Sequence, residues 1–231
     1  KIFNNNIFNK NIKFKIITAV AMFYDLRNPI DFCKQIEKNL DREGIFHVEV
    51  AYLPDILKLY SFDTFCQEHL TYFSFISFNN LIKQTNLQVI DYKRNQINGG
   101  SINFDIAFKN SKFRVKKNKI QKLKNLENKL GIDNPNTFKR FYKDLILKAK
   151  IIKSKISEIK KKNKKIYGYG ASTKGNVLLQ LCNLDNSFID GIYDVNKEKF
   201  NLYTPGSNIK IISEKKIKFN RNDYILLLIW H

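Results

Sequence analysis

At 231 residues, with 43% hydrophobic and 13% aromatic side chains, the chain is long enough to bury one large core or two ordinary ones, which excludes a disordered polymer. The net charge of +20 suggests a polyanion partner, but Lys carries nearly all of it beside abundant Asn, Ile, Phe and Tyr, the residue set of AT-rich codons. With Arg scarce and no nucleic-acid module in view, base composition accounts for the charge and no nucleic-acid partner is expected.

The first residues, 1–10, lack an initiator Met and the charged-then-apolar layout of a signal peptide. The chain stops at the apolar run 224–230, so an internal piece of a longer protein is expected. Residues 14–20 (FKIITAV) predict a buried parallel strand. Pro29 opens a helix whose apolar positions Ile30, Phe32, Cys33, Ile36 and Leu40 recur at helical spacing, and Gly44 marks its stop. A second strand follows over 45–52. This strand–helix–strand unit predicts a doubly wound α/β sheet with its ligand crevice beyond the carboxyl ends of the strands, near Asp25 and 49–53. The segment 54–75 reads as an insertion over that edge. A short helix over 78–84 and strands over 87–96 and 102–108 complete the first part, with Asn98-Gly99-Gly100-Ser101 between the strands as a hairpin turn or a close approach to a ligand.

From 111 to 164 the chain turns Lys-rich and predicts a helical connector: one helix over 119–130, a break at 131–135, and a long helix over 137–162. From 165 to 231 a second α/β lobe is expected, starting with a strand over 165–169. It continues through the turn 170–176 into an apolar helix pattern over 177–181, with further strands over 189–193, 209–212 and 224–229. The turn suits a phosphate at a helix start, yet its spacing is neither a P-loop nor G-x-G-x-x-G, and an ordinary tight turn explains it as well. Asp194 stands about where a Rossmann-like unit places its ribose-binding acid. Cys33, Cys66 and Cys182 are odd in number and widely spaced, which argues against disulfides and zinc and for a reducing cytoplasm. No apolar run reaches the roughly 18 residues of a membrane span, so no membrane partner is expected.

The chemistry concentrates in 61–75, SFDTFCQEHLTYFSF, where Glu68-His69 lies in a run of aromatic residues. A carboxylate beside an imidazole, walled by Phe62, Phe65, Tyr72 and Phe75, is the material of a general base. A single His among rings is also the mark of a hydrogen-bonded structural residue.

Four segments in order, AMFYDL at 21–26, DTFCQEHLTYFS at 63–74, INGGS at 97–101, and YGYGASTKGN at 167–176 followed by YTPG at 203–206, resemble the SAM-dependent C-methyltransferases of nucleotide-linked keto-sugars in deoxysugar biosynthesis. The resemblance implies a partial class I methyltransferase (Rossmann-like) sheet over 1–110 with an active-site insertion at 53–77. It also implies a helical connector at 111–164 and a C-terminal Rossmann-like nucleotide-binding domain at 165–231. It makes His69 the base and Glu68 its partner, and it puts Ala21 and Met22 beside S-adenosyl-L-methionine. The substrate, a nucleotide-sugar-like small molecule, would meet Asp25, Cys66, Tyr72, Asn98, Gly99, Gly100 and Ser101, and in the last domain Gly170, Ala171, Ser172, Lys174, Asn176, Thr204, Pro205 and Gly206. Where the best-studied sugar methyltransferases of the family carry His, Tyr and His, this chain has Asp25, Cys66 and Asn98, so those contacts do not carry over. The family's SAM glycine loop is absent from these residues, which leaves the isolated piece inactive, and any zinc site belongs to the missing N-terminal part. The rival readings are an NAD-dependent oxidoreductase using 168–194 and a non-catalytic nucleotide-binding protein.

Overall fold

A computed structural model describes residues 12–218 and 220–230, with the side chain of Asn98 outside the description. The chain divides into two compact units, Lys1–Ser61 with Gln67–Thr137, and Phe62–Cys66 with Phe138–His231.

The first unit begins with β1 (Phe14–Val20), followed by α1 (Pro29–Asn39) and β2 (Leu40–Ala51). Asn28 caps α1 by accepting the Asp31 N–H at 3.0 Å, with Pro29 in the first turn where its missing N–H costs nothing. The helix ends at Asn39 and β2 starts at once, which corrects the expected stop at Gly44. Gly44 lies within β2, where an added Cβ would sit 2.8 Å from the Phe14 carbonyl oxygen, so the glycine admits the neighbouring strand. Next come α2 (Leu53–Leu59), α3 (Phe75–Ile82), β3 (Leu87–Asn95), β4 (Ser101–Phe108) and α4 (Lys117–Leu130).

The strand order is β1-β2-β4-β3, with β1 parallel to β2 and β4 antiparallel to both β2 and β3. The carboxyl ends of β1, β2 and β3 therefore share one edge with the start of β4. Phe46, Val48, Val50, Phe104 and Ile106 of the sheet pack with Cys33 and Ile36 of α1, Phe78 and Ile82 of α3, and Ile120 and Leu123 of α4. The Phe78 and Phe104 rings stack at 4.4 Å. Burying one such side chain contributes about 1.5–3 kcal/mol.

Helix α4 was expected in a separate connector. It belongs instead to the first unit, because Ile120 and Leu123 enter that core and Glu127 is fully buried there. Lysines on the remaining faces of α4 mask this in the sequence.

The second unit contains nearly all of α5 (Pro135–Lys161), then β5 (Ile166–Tyr169), α6 (Thr173–Leu181), β6 (Gly191–Asp194), β7 (Ile211–Ser213) and β8 (Tyr224–Leu227). Its sheet is all parallel, in the order β7-β6-β5-β8. Ala149 and Ile156 of α5 pack with Ile166, Leu179, Ile192 and Leu228 as its core. Helix α6 starts four residues earlier than its apolar pattern suggests, because Ser172 caps it by accepting the Gly175 N–H at 2.9 Å. No helix of the described residues is long and apolar enough to cross a membrane.

Candidate active site

At the carboxyl end of β1 the chain turns through Ala21, whose φ is +52°, while its N–H donates to the Glu49 carbonyl at 3.2 Å. A short 3-10 turn, Phe23–Asp25, follows, and the buried Phe23 ring anchors it in the core. The Tyr24 carbonyl then accepts the N–H groups of Leu70, at 2.9 Å, and Thr71, at 3.1 Å. Those two bonds bring the expected Glu68-His69 pair back to β1.

The His69 ring lies 4.3 Å from the Tyr24 ring and 6.4 Å from that of Tyr72. Burial pushes the Asp25 carboxyl above its ordinary value, a shift opposed by the nearby His69 and reinforced by Glu68. Asp25, Glu68, His69, Tyr24 and Tyr72 thus gather at one corner. The expected walls were different. Phe62 and Phe65 belong to the second unit and Phe75 lies inside the core, while His69 is half-buried and Glu68 exposed. The reason is local: the chain leaves the first unit for Phe62–Cys66 and re-enters it at Gln67, so the preceding aromatics, and Cys66 with them, pack elsewhere.

The segment that follows is held firmly. Phe73 bridges Tyr52, and its carbonyl accepts the Leu53 N–H at 2.9 Å. Ser74 caps α3 in a reciprocal exchange with Ser77. Glu127 of α4 accepts the Phe75 N–H at 2.6 Å, the Ile76 N–H at 2.9 Å and the Tyr52 hydroxyl at 2.8 Å. A buried carboxylate at a helix start is tolerated because these donors replace its water. Burial foremost, and then Glu127, pushes the Tyr52 phenol far above its ordinary range, which keeps it a donor.

Further along the edge, the turn Ile97–Gly99 joins β3 to β4. Gly100 adopts φ +123°, and a Cβ there would meet the Asp55 Cβ at 2.6 Å. Asp55, only 8% exposed, pairs with Arg94, whose guanidinium carbon lies 5.1 Å from the centre of the Tyr52 ring. Ser101 is buried and donates to the Ile97 carbonyl at 3.0 Å. The Asn98 backbone belongs to the turn, and its side chain lies outside the described residues.

Sequence reasoning missed Asp55, Arg94 and Glu127, and placed Tyr52 near the crevice only as part of 49–53. One signal pointed to Arg94: a rare Arg in a chain that otherwise uses Lys.

In the second unit Gly170, with φ +85°, and Gly175 have no room for a side chain. A Cβ would lie 2.5 Å from Ile229 Cγ2 and 2.8 Å from Leu228 Cβ, respectively. The Ala171 N–H donates to Asp194 at 2.7 Å, and the other Asp194 oxygen accepts the Asn196 N–H at 2.7 Å. The acid proposed for a ribose is therefore already engaged by the backbone. Lys174 pairs with Asp63 at 3.6 Å, and Asn176 is half-buried on α6. Thr204 is buried, and its hydroxyl serves Ser207 and the Ile209 N–H. The exposed Pro205 offers its carbonyl to Gln180, near the end of α6, at 3.0 Å. A Cβ at the neighbouring Gly206 would also press on Gln180, at 3.1 Å.

Among the described residues no His, Cys, Asp and Glu cluster could hold a metal ion. The described residues of the first unit have no glycine turn leading from a parallel strand into a helix with an acid at the next strand end, the set that holds a nucleoside in doubly wound folds. Ala21 and Met22 alone do not fit S-adenosyl-L-methionine.

The fold and these groups define an α/β protein in which Asp25, Glu68, His69, Asp55 and Arg94 lie at the carboxyl edge of a mixed sheet. A family model described as the C-methyltransferase C-terminal domain matches residues 96–231, and the chain belongs to that family. It is 33% identical over 189 residues to the C-methyltransferase NovU of Streptomyces niveus, covering 82% of this chain and 45% of that protein. The chain thus spans less than half the length of that relative. Similar solved structures include LepI in complex with SAM, at TM-score 0.36 and 10% identity over 42% of this chain and 27% of that one. Another is the O-methyltransferase NcsB1 from neocarzinostatin biosynthesis with S-adenosylmethionine and 2-hydroxy-5-methyl naphthoic acid, at TM-score 0.31 and 17% identity over 41% and 28%.

Proposed function

We propose that the chain is part of a SAM-dependent C-methyltransferase acting on a nucleotide-linked keto-sugar or a related ketone, with His69 as the base. Family membership supports the reaction class. The observation that carries the site is the half-buried His69 ring, tilted against Tyr24, with Glu68 and Asp25 within electrostatic reach. An imidazole so placed removes the proton from the carbon beside the ketone, leaving the electron pair on an enolate that attacks a methyl donor. Tyr24 and Tyr72 limit how the ring turns, and the Tyr24 carbonyl fixes the backbone beside it. S-adenosyl-L-methionine is the methyl donor of this reading.

The nicotinamide alternative is disfavoured by the glycine spacing of 168–175, which is not G-x-G-x-x-G. The test is incubation of the full-length protein with methyl-labelled S-adenosyl-L-methionine and a nucleotide-linked keto-sugar. Label on a carbon of the product is expected. Transfer only to oxygen, or none while the donor is bound, overturns the reading.

A further inference from the structure

A cavity of about 640 Å³ opens at the carboxyl edge of the first unit, lined by Asp55, Lys58, Arg94, Gln96, Gly99 and Gly100 among others. Its size is that of a small-molecule site. Its chemistry follows from how the side chains are already committed.

Arg94 is held on two sides. Asp55 accepts from Nη2, and the Tyr52 ring supports the guanidinium, with the Tyr52 hydroxyl itself fixed by the buried Glu127. With Asp55 buried and Arg94 exposed, the pair contributes little to stability, since solvent screens the guanidinium. What the pair supplies is orientation. A guanidinium has five N–H donors in a rigid fork, and the donors that Asp55 does not take belong to a side chain lining the cavity.

Lys58 stands three residues after Asp55 on α2, on the same side of the helix, and lines the same cavity. Asn95 also lines it but is spent: its amide nitrogen serves Glu49 and Asn103, and its oxygen accepts the Ile97 N–H. Two cations against one carboxylate leave the lining positive and rich in donors. Gly99 and Gly100 close it with bare backbone, and the space a Cβ would take at Gly100 is filled by Asp55.

The geometry points to an anion-binding subsite for a phosphate group, with Arg94 as the oriented fork, Lys58 as a point charge and Asp55 as the residue that positions Arg94. Only the identity of the natural occupant, the phosphate of a nucleotide-linked substrate, rests on the proposed methyltransferase reading. The binding itself does not.

The experiment is calorimetric titration of the full-length protein, without methyl donor, using inorganic pyrophosphate and, separately, UDP-glucose. Pyrophosphate is expected to bind, and Lys58→Ala, a change at an exposed position, to weaken it about tenfold with an unchanged circular dichroism spectrum. Arg94→Lys, which keeps the charge and loses the fork, should weaken it by a similar factor. Competition between UDP-glucose and pyrophosphate, with the same loss in Lys58→Ala, supports the substrate's phosphate as the source. Pyrophosphate binding without such competition supports free phosphate as the occupant. No binding at millimolar pyrophosphate, or equal binding in wild type and both variants, overturns the subsite. A protein that methylates its substrate while those affinities stay equal would lose the subsite and keep the reaction.

Discussion

The two units each contain a glycine turn at the carboxyl edge of a sheet, and the two turns do opposite things. In the first unit Gly100 leaves space that Asp55 fills, and Asp55 in turn holds Arg94 at a cavity. In the second unit Gly170 and Gly175 leave space for Ile229 and Leu228, while the backbone of the turn is tied to Asp194. The first turn orients charge, and the second packs a strand end. Glycines written alike in sequence thus differ once the space beside each is known: Gly100 admits a charged side chain at a cavity, and Gly170 and Gly175 admit the two residues that follow β8.

The sharpest way to break the first arrangement is to remove the acid beneath it. Glu127→Ala leaves the Tyr52 hydroxyl and two N–H groups of α3 without an acceptor in a buried place, and should cost about 3–5 kcal/mol of stability by urea unfolding. Glu127→Gln, which keeps an acceptor oxygen, should cost clearly less.

Glycine replacements come next and sharpen the contrast. Gly100→Ala combines a left-handed backbone with a 2.6 Å clash against Asp55, so it should cost about 2–3 kcal/mol and also weaken pyrophosphate binding. Gly170→Ala, with φ +85° and a 2.5 Å approach to Ile229, should cost a similar amount and leave pyrophosphate binding unchanged. Equal loss of binding in both variants would erase the distinction.

The smallest effect concerns the docking of α4. Burial alone would raise the Asp91 carboxyl, but the hydrogen bonds from Lys116, Lys119 and the Tyr92 N–H outweigh it and hold it down at about 2. Because the folded value lies below the unfolded one, about 3.9, the stabilisation is complete above pH 4 and is lost as pH falls toward 2. After screening of the two partly exposed ammonium groups it amounts to about 1 kcal/mol. Acid titration of unfolding should show that loss in the wild type and not in Asp91→Asn.

Much of the fold was legible because its signals are local. Asn28-Pro29 starts α1, Leu87–Asn95 and Ser101–Phe108 flank a turn with paired glycines, and the parallel β5–α6–β6 unit follows its apolar runs. The corner around His69 was legible in part. Its two key residues are adjacent in sequence, yet their aromatic surroundings are not: Tyr24 comes from 45 residues upstream, and the neighbouring Phe62 and Phe65 leave for the other unit. The Tyr52–Glu127 bond joins residues 75 apart, across a helix whose lysines advertise a solvated surface. No periodicity reports a single buried acid on such a helix. Asp194 carries a local signal with a second use: its place at a strand end reads as a ligand contact, and its two oxygens also accept the N–H groups of Ala171 and Asn196.

The role of His69 is tested most directly by following the hydrogen beside the ketone. In deuterated water the full-length protein should wash that hydrogen out of a nucleotide-linked keto-sugar, and His69→Ala should abolish the exchange. Undiminished exchange in His69→Ala would contradict the account.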